Sequence, residues 1–288
     1  MKPGPFDYIA PTTLPEALRL LGDPERDTKV LAGGQSLIPM LNMRLARPEL
    51  LVDITRIAEL NRLDVGADGA LRIGAAVRQS AVAADPMVRA RWPLLAAAVE
   101  QIGHPQIRNR GTVCGSLVHH DPAAELPAAA VALDARFTVA RAAGRRSIAA
   151  EEFFLSTFAT DVEPEDIVVE TLVPPLPAGT GWAFRELAQR RGDFAAVGLA
   201  VLLRADGVAV DSARIVYCGV GSTPIRVREA EGTLLGREFG QAAMADAARA
   251  ASTVLDPPGD LHASAQWRRE AAAVLLVRTL TEAWERRA

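Results

Sequence analysis

Apolar residues along this chain fall into short runs separated by glycine and proline, and the spacing within each run predicts small strands alternating with helices. Leu14, Leu18 and Leu21 share one helical face, with Thr13 placed to cap its start, Pro15 in its first turn and Gly22 at its end. Residues 28–32 predict a strand that stops at Gly33-Gly34, and residues 36–45 predict a short helix beyond that turn. Further buried strands are predicted at 50–54 and 71–73. Helical spacing then runs over 81–102, broken by Pro86 and Pro93. Residues 111–125 carry Gly, Ser, His and Asp without a regular period, which predicts a loop bearing polar groups. Helix and strand patterns resume at 128–133 and 136–140, and a short helix near 151–154 precedes a strand over 167–173.

The Pro- and Gly-rich stretch 174–181 is the best candidate for a domain boundary. Beyond it, residues 195–204 and 213–220 predict antiparallel strands around the Asp206-Gly207 turn. Helical patterns over 227–235, 241–255 and 264–285 close the chain.

Composition narrows the function. With 288 residues, 49% hydrophobic and 23% charged, the chain has the make-up of a globular protein with a sizeable core. Lys+Arg 32 against Asp+Glu 35 gives net charge -3, which argues against neutralising phosphates along a nucleic acid. The two cysteines, Cys114 and Cys218, cannot form a disulfide scaffold or by themselves ligate an iron–sulfur cluster, so redox chemistry needs another cofactor. The N-terminus lacks a basic start followed by an apolar core, and no apolar run approaches the ~20 residues that span a bilayer. A cytoplasmic protein with no integral membrane segment is expected.

Three constellations can carry chemistry. Ala32-Gly33-Gly34-Gln35-Ser36-Leu37 sits between a strand and a helix, where paired glycines expose backbone N–H groups to an anion; a ligand-free tight turn would use the same residues. The second runs from Arg110 to Glu125 and includes Thr112, Cys114, Gly115, Ser116, His119, His120 and Asp121. Two small-residue loops far apart in sequence suit a dinucleotide, because both can offer amides to one pyrophosphate while a carboxylate accepts from sugar hydroxyls. Neither GxGxxG nor GxxxxGK[ST] is present. His119, His120 and Asp121 lack metal-ligand spacing, and no GxSxG elbow exists to make a serine nucleophile, so no metal is expected and Ser36 and Ser116 are better placed as phosphate donors. Cys114 is expected to be a small buried residue. The third is the charged turn Gln189-Arg190-Arg191-Gly192-Asp193-Phe194; it is either a solvated loop or a loop beside a flavin ring, where Arg190 and Asp193 set the potential and Phe194 offers an apolar face.

Together these segments resemble the medium, FAD-binding subunit of the carbon monoxide dehydrogenase and xanthine dehydrogenase family of molybdenum hydroxylases. The likeness spans almost the whole chain: Phe6-Asp7-Tyr8, LAGGQSLIPMLNM from Leu31, residues 51–54, IGHPQIRNRGTVCGSLVHHDPAAE from Ile102, Glu165-Asp166-Ile167, and Arg191-Gly192-Asp193-Phe194-Ala195. It implies an α+β fold: an FAD-binding fold of the vanillyl-alcohol-oxidase (PCMH) type in two α/β subdomains, residues 1–56 and 57–176, followed by a C-terminal antiparallel sheet with helices, residues 177–288. It further implies that residues 32–36 and 112–116 hold the FAD pyrophosphate, that Glu125, with Asp121 beside it, binds sugar or ribityl hydroxyls, and that Ile102 and Val168 pack against the cofactor. The chemistry would be flavin reduction and reoxidation, with no catalytic side chain. Electrons would come from a small partner subunit with two [2Fe-2S] clusters and go to an external acceptor, while a large molybdopterin-binding subunit oxidises the substrate, the whole forming a dimer of heterotrimers. A stand-alone flavin oxidase or a non-catalytic assembly protein is the alternative. Substrate and acceptor (O2, NAD or a quinone) stay open. One position departs from the family: Cys114 stands where a second glycine is usual, so the local backbone must be one that a Cβ tolerates.

Overall fold

A computed structural model describes residues 2–287. Strands Asp7–Ile9, Thr28–Leu31 and Leu50–Asp53 form a parallel sheet with Leu50–Asp53 in the middle. Helix Leu14–Leu21 makes the crossover between the first two strands and buries Leu14, Ala17, Leu18 and Leu21, the face its spacing predicts. Thr13 caps it by accepting from the Glu16 N–H. After Thr28–Leu31 the chain turns through Gly34, at φ 74°, into helix Leu37–Asn42, shorter than its pattern suggests.

A five-stranded antiparallel sheet follows, ordered Leu63–Val65, Leu71–Gly74, Ile167–Val173, Arg136–Arg141, Gly144–Ala149. Its middle strand comes last in sequence, and the helices between residues 79 and 132 fill the intervening chain. The predicted helical run from 81 becomes three pieces, Gln79–Ala84, Pro86–Arg91 and Pro93–Gln101, each later one starting on a proline that breaks the previous one. Residues 111–125 correct the expectation of a loop. Val113–His119 is a helix, capped by Thr112, and only two turns long, too short for an apolar period to show. The next helix, Glu125–Ala132, is buried on every side because it packs both against Pro93–Gln101 and against the C-terminal sheet.

That last sheet is antiparallel, ordered Gly181–Leu187, Val197–Asp206, Ala209–Cys218, Ile225–Arg226. Its two long strands carry apolar residues on both faces. Val197, Leu199, Val201 and Leu203 pack with helices Arg228–Leu234, Gln241–Val254 and Ala265–Glu285, whereas Ala200, Leu202, Val216 and Cys218 join the core of the N-terminal half. The alternation follows from the pleat, which sends successive side chains to opposite faces. Strands Gly144–Ala149 and Gly181–Leu187 escape sequence patterning: the first is an exposed edge, and the second follows the Pro-rich stretch directly.

Candidate functional site

The two glycine motifs meet backbone to backbone. Gly33 is buried, and a Cβ on it would stand 2.6 Å from the Arg110 carbonyl oxygen, 2.7 Å from Gly111 Cα and 3.0 Å from Thr112 N. Only glycine permits that approach. A second contact lies nearby, where a Cβ on Gly115 would be 2.7 Å from Thr112 Oγ1 and 3.8 Å from Ala32 Cβ. The N–H groups of Gly33, Gly34, Gln35 and Ser36 donate to no acceptor among the described residues. Four successive donors in a half-buried turn call for an acceptor that the chain itself does not supply. The facing motif is more self-sufficient. Thr112 Oγ1 accepts from Gly115 N at 3.1 Å, Val113 N donates to Val77 O at 3.3 Å, and Ser116 N donates to Thr112 O at 3.2 Å.

Positive charge gathers at this seam. Arg78 pairs with Thr112 in an isolated β-bridge, and its guanidinium donates to the Arg110 carbonyl. Burial, and then the Arg110 guanidinium beside it, hold Arg78 below the ordinary arginine value. Asp53, opposite Leu31 in the parallel sheet, accepts from Tyr8 Oη at 2.5 Å. Burial pushes its carboxyl up, but hydrogen bonds from Tyr8 and Thr55 and the Arg78 charge bring it below the usual carboxylate range. An anion at the seam would relieve the repulsion between the two arginines.

Beyond helix Val113–His119 the chain enters a cleft of about 1530 Å³. Asp121, Pro122 and Ala123 form one wall, and residues of the 188–196 and 256–268 segments the other. The walls are tied where Gly219 N donates to Pro122 O at 2.8 Å. The Arg190 turn is closed by Asp193 N donating to Arg190 O, and Gly192, at φ 88°, lies flat against the backbone of Gly103. Asp193 and Phe194 line the cleft, and Phe194 is 66% exposed. Arg190 is exposed and Ile102 half-buried at the end of helix Pro93–Gln101. Leu37, the first residue of its helix, is half-buried, and Ser116 is half-buried in the first turn of its own. Val168 is buried in the N-terminal core, beside a bulge in its strand.

The two acids of the second motif differ. Asp121 lines the cleft, whereas Glu125 is 5% exposed behind it. Burial pushes the Glu125 carboxyl up to about 8, with Glu186 and Asp121 adding repulsion, and burial lifts Glu186 to about 7. Cys114 sits in helical backbone, absent from the positive-φ residues, so its Cβ meets no strain. Its buried thiol, 3.2 Å from Thr171 Oγ1, is pushed up to about 12 by burial, which leaves it unreactive. His119 and His120 pack on Phe158 and Phe154, and His120 Nδ1 lies 3.1 Å from Ala159 O; they brace the hairpin Phe154–Thr160.

A family model described as the FAD binding domain in molybdopterin dehydrogenase matches residues 4–176, and one described as the CO dehydrogenase flavoprotein C-terminal domain matches residues 182–283. The chain belongs to this family of FAD-binding medium subunits. It is 43% identical over 287 residues to the 6-hydroxypseudooxynicotine dehydrogenase complex subunit alpha of Paenarthrobacter nicotinovorans, covering 99% of this chain and 97% of that one. It is 40% identical to the carbon monoxide dehydrogenase medium chain of Hydrogenophaga pseudoflava, covering 99% of each. Among solved structures, carbon monoxide dehydrogenase from Hydrogenophaga pseudoflava lacking the Mo-pyranopterin moiety superposes with a TM-score of 0.96 at 41% identity, over 100% of both chains. The medium subunit is thus an oxidoreductase subunit, and the family and fold implied by the sequence motifs hold. No helix among the described residues is long and apolar enough to cross a membrane.

Several site residues carry no sequence signal. Arg78 and Gln79 lie in no motif, yet Gln79 is buried, its N–H donates to Gly111 O, and its side chain reaches Thr112 O at 3.5 Å. Trp267 looks like any helix-start aromatic until the fold brings it to the cleft. Only the bridge between residues 78 and 112 could have revealed the first pair, and a bridge is a tertiary fact.

Proposed function

We propose that this chain holds FAD across the seam between its two glycine motifs and serves as the electron-transfer subunit of a molybdenum-containing hydroxylase. The observation that carries this is the run of four unpartnered N–H groups, Gly33 to Ser36, pressed against Arg110 to Thr112. Those amides and the first turn of helix Val113–His119 take the pyrophosphate, with Arg78 and Arg110 supplying counter-charge. Ala32 and Gly115 shape the seam, Ser36 and Ser116 add hydroxyl donors, and Leu37 closes the apolar side. Glu125, with Asp121 beside it on the cleft wall, binds ribityl or sugar hydroxyls. Ile102 and Val168 give the cofactor apolar contact, and the Arg190, Asp193 and Phe194 turn borders the ring. When bound, FAD supplies the redox chemistry; the side chains bind, orient and set the potential around it.

Electrons arrive from a small subunit with two [2Fe-2S] clusters and leave to an external acceptor, while a large molybdopterin-binding subunit oxidises the substrate. The three assemble as a dimer of heterotrimers in the cytoplasm. Relatives named for 6-hydroxypseudooxynicotine and for carbon monoxide, both similar along nearly their full length, support a substrate pocket outside this chain. Residues 1–56, 57–176 and 177–288 act as two FAD-binding parts and a C-terminal part. The test is to purify the chain with its neighbours and record a visible spectrum and flavin content. One FAD per chain is expected; an active complete complex without flavin overturns the assignment.

A further inference from the structure

We infer that Glu186, which no motif marks, is a positioning residue for Glu125: the two carboxyls meet without a counter-ion behind the cleft wall, and a proton held between them keeps Glu125 on the cofactor hydroxyls. This role rests on the FAD assignment above. Glu125 opens helix Glu125–Ala132, which packs on the C-terminal sheet, and it is 5% exposed. Glu186 lies on strand Gly181–Leu187 two residues beyond Phe184, whose side chain joins the N-terminal core, so the pleat turns Glu186 toward the same layer. It is level with Gly198, which in turn pairs with Cys218. A Cβ on Gly198 would collide with Cys218 Sγ and stand 3.8 Å from Glu186 Cβ, so the glycine leaves open the niche beside the carboxyl. Glu186 Oε2 is buried with no hydrogen-bond partner among the described residues.

A buried carboxylate ordinarily takes a basic partner. Here the arginines of the surrounding elements are committed elsewhere. Arg185 turns to the opposite face of the sheet and pairs with Glu282; Arg89 pairs with Glu100, Arg204 with Asp211 and Arg214 with Asp134. Arg226 pairs with Glu231 and, together with Arg228, with Glu151. His119 packs on Phe158, and burial holds it below the usual histidine range. Asp121 and the Cys218 thiol remain beside the pair, and burial and both glutamates push that thiol up and keep it uncharged. Two carboxylates in a low dielectric with no cation between them repel strongly, so one keeps its proton. Burial lifts Glu186 to about 7, and burial, then the Glu186 and Asp121 charges, lift Glu125 to about 8. As pH rises through those values the protons leave to solvent, the carboxylates repel, and Glu125 is driven off the hydroxyls it binds.

The experiment reads two signals against pH. The first is the infrared band of protonated carboxyl in the flavin-free full chain, with Glu125→Gln identifying the Glu125 component. That component should be present at about pH 6 and gone by about pH 9, and in Glu186→Gln it should vanish at lower pH, because the neighbouring charge is removed. The second is FAD retained by the purified complex on dialysis, its flavin quantified first. Flavin dissociation should rise severalfold in the parent between about pH 7 and pH 9, whereas Glu186→Gln should hold flavin at least about threefold more tightly than the parent at the upper end. Glu186→Asp keeps an ionisable group and should keep the pH dependence. Unchanged melting at about pH 6 serves as the folding control. A Glu125 band that titrates identically in Glu186→Gln, or a Glu186→Gln complex that loses flavin more readily at every pH, overturns the inference while leaving the FAD assignment intact. An active complex without flavin overturns that assignment and the role toward the cofactor with it.

Discussion

The turn Gly33 to Ser36 and the helix start Thr112 to Ser116 face each other across one seam, yet they are built on opposite plans. In the turn, four N–H groups have no partner among the described residues; in the helix start, a threonine cap and two backbone bonds already satisfy most donors. The turn is therefore the main donor array, and the helix start, with fewer free donors, chiefly shapes it. Sequence similarity between two small-residue motifs conceals this division, because glycine serves openness in one and close packing in both.

The division can be broken at graded cost. Gly33→Ala should have the largest effect, since its Cβ would collide with backbone that no side-chain rotation can clear; flavin content measured after purification should drop to background. Next comes Glu125, at the end of the second motif. Its folded value of about 8 lies above its unfolded one, as does that of Glu186 at about 7, so both stabilise the fold fully at low pH and lose that contribution as pH rises through those values. Glu125→Gln should accordingly flatten the fall in unfolding free energy between about pH 4.5 and pH 8, by on the order of a few kcal/mol. A variant as pH-sensitive as the parent would show that the carboxyl is not buried.

Thr112→Val removes the cap and should lower stability by about 1 kcal/mol in denaturant titration. Gly115→Ala should cost a similar amount by pushing against the same oxygen, and combining it with Thr112→Ala, which clears that atom, should cost less than the sum of the two single changes. Strict additivity would mean that the two residues do not share the cap. The smallest effect belongs to Cys114: its buried thiol should resist a thiol-reactive dye in the native protein and react on unfolding. Rapid native labelling would contradict the burial.

Much of this was legible from the chain alone. The strand-turn-helix around Gly33, the strand Ile167–Val173 and the three closing helices follow from apolar spacing and from glycine and proline positions. The long central motif points to the family, but its local conformation is not legible there, because a two-turn helix with Gly115 inside it offers no period and a weak propensity. Cys114 looked like an obstacle until its backbone proved helical. Arg78, Gln79 and Trp267 were invisible for a different reason: each reaches the site through tertiary pairing rather than local pattern.

The long strands of the C-terminal sheet have a consequence for how the molecule comes apart. Because Val197, Leu199 and Val201 belong to one core while Ala200, Leu202, Val216 and Cys218 belong to the other, neither half can melt without stripping cover from its neighbour. A hinge along that sheet would open apolar surface to water. Heat should therefore unfold the two halves together.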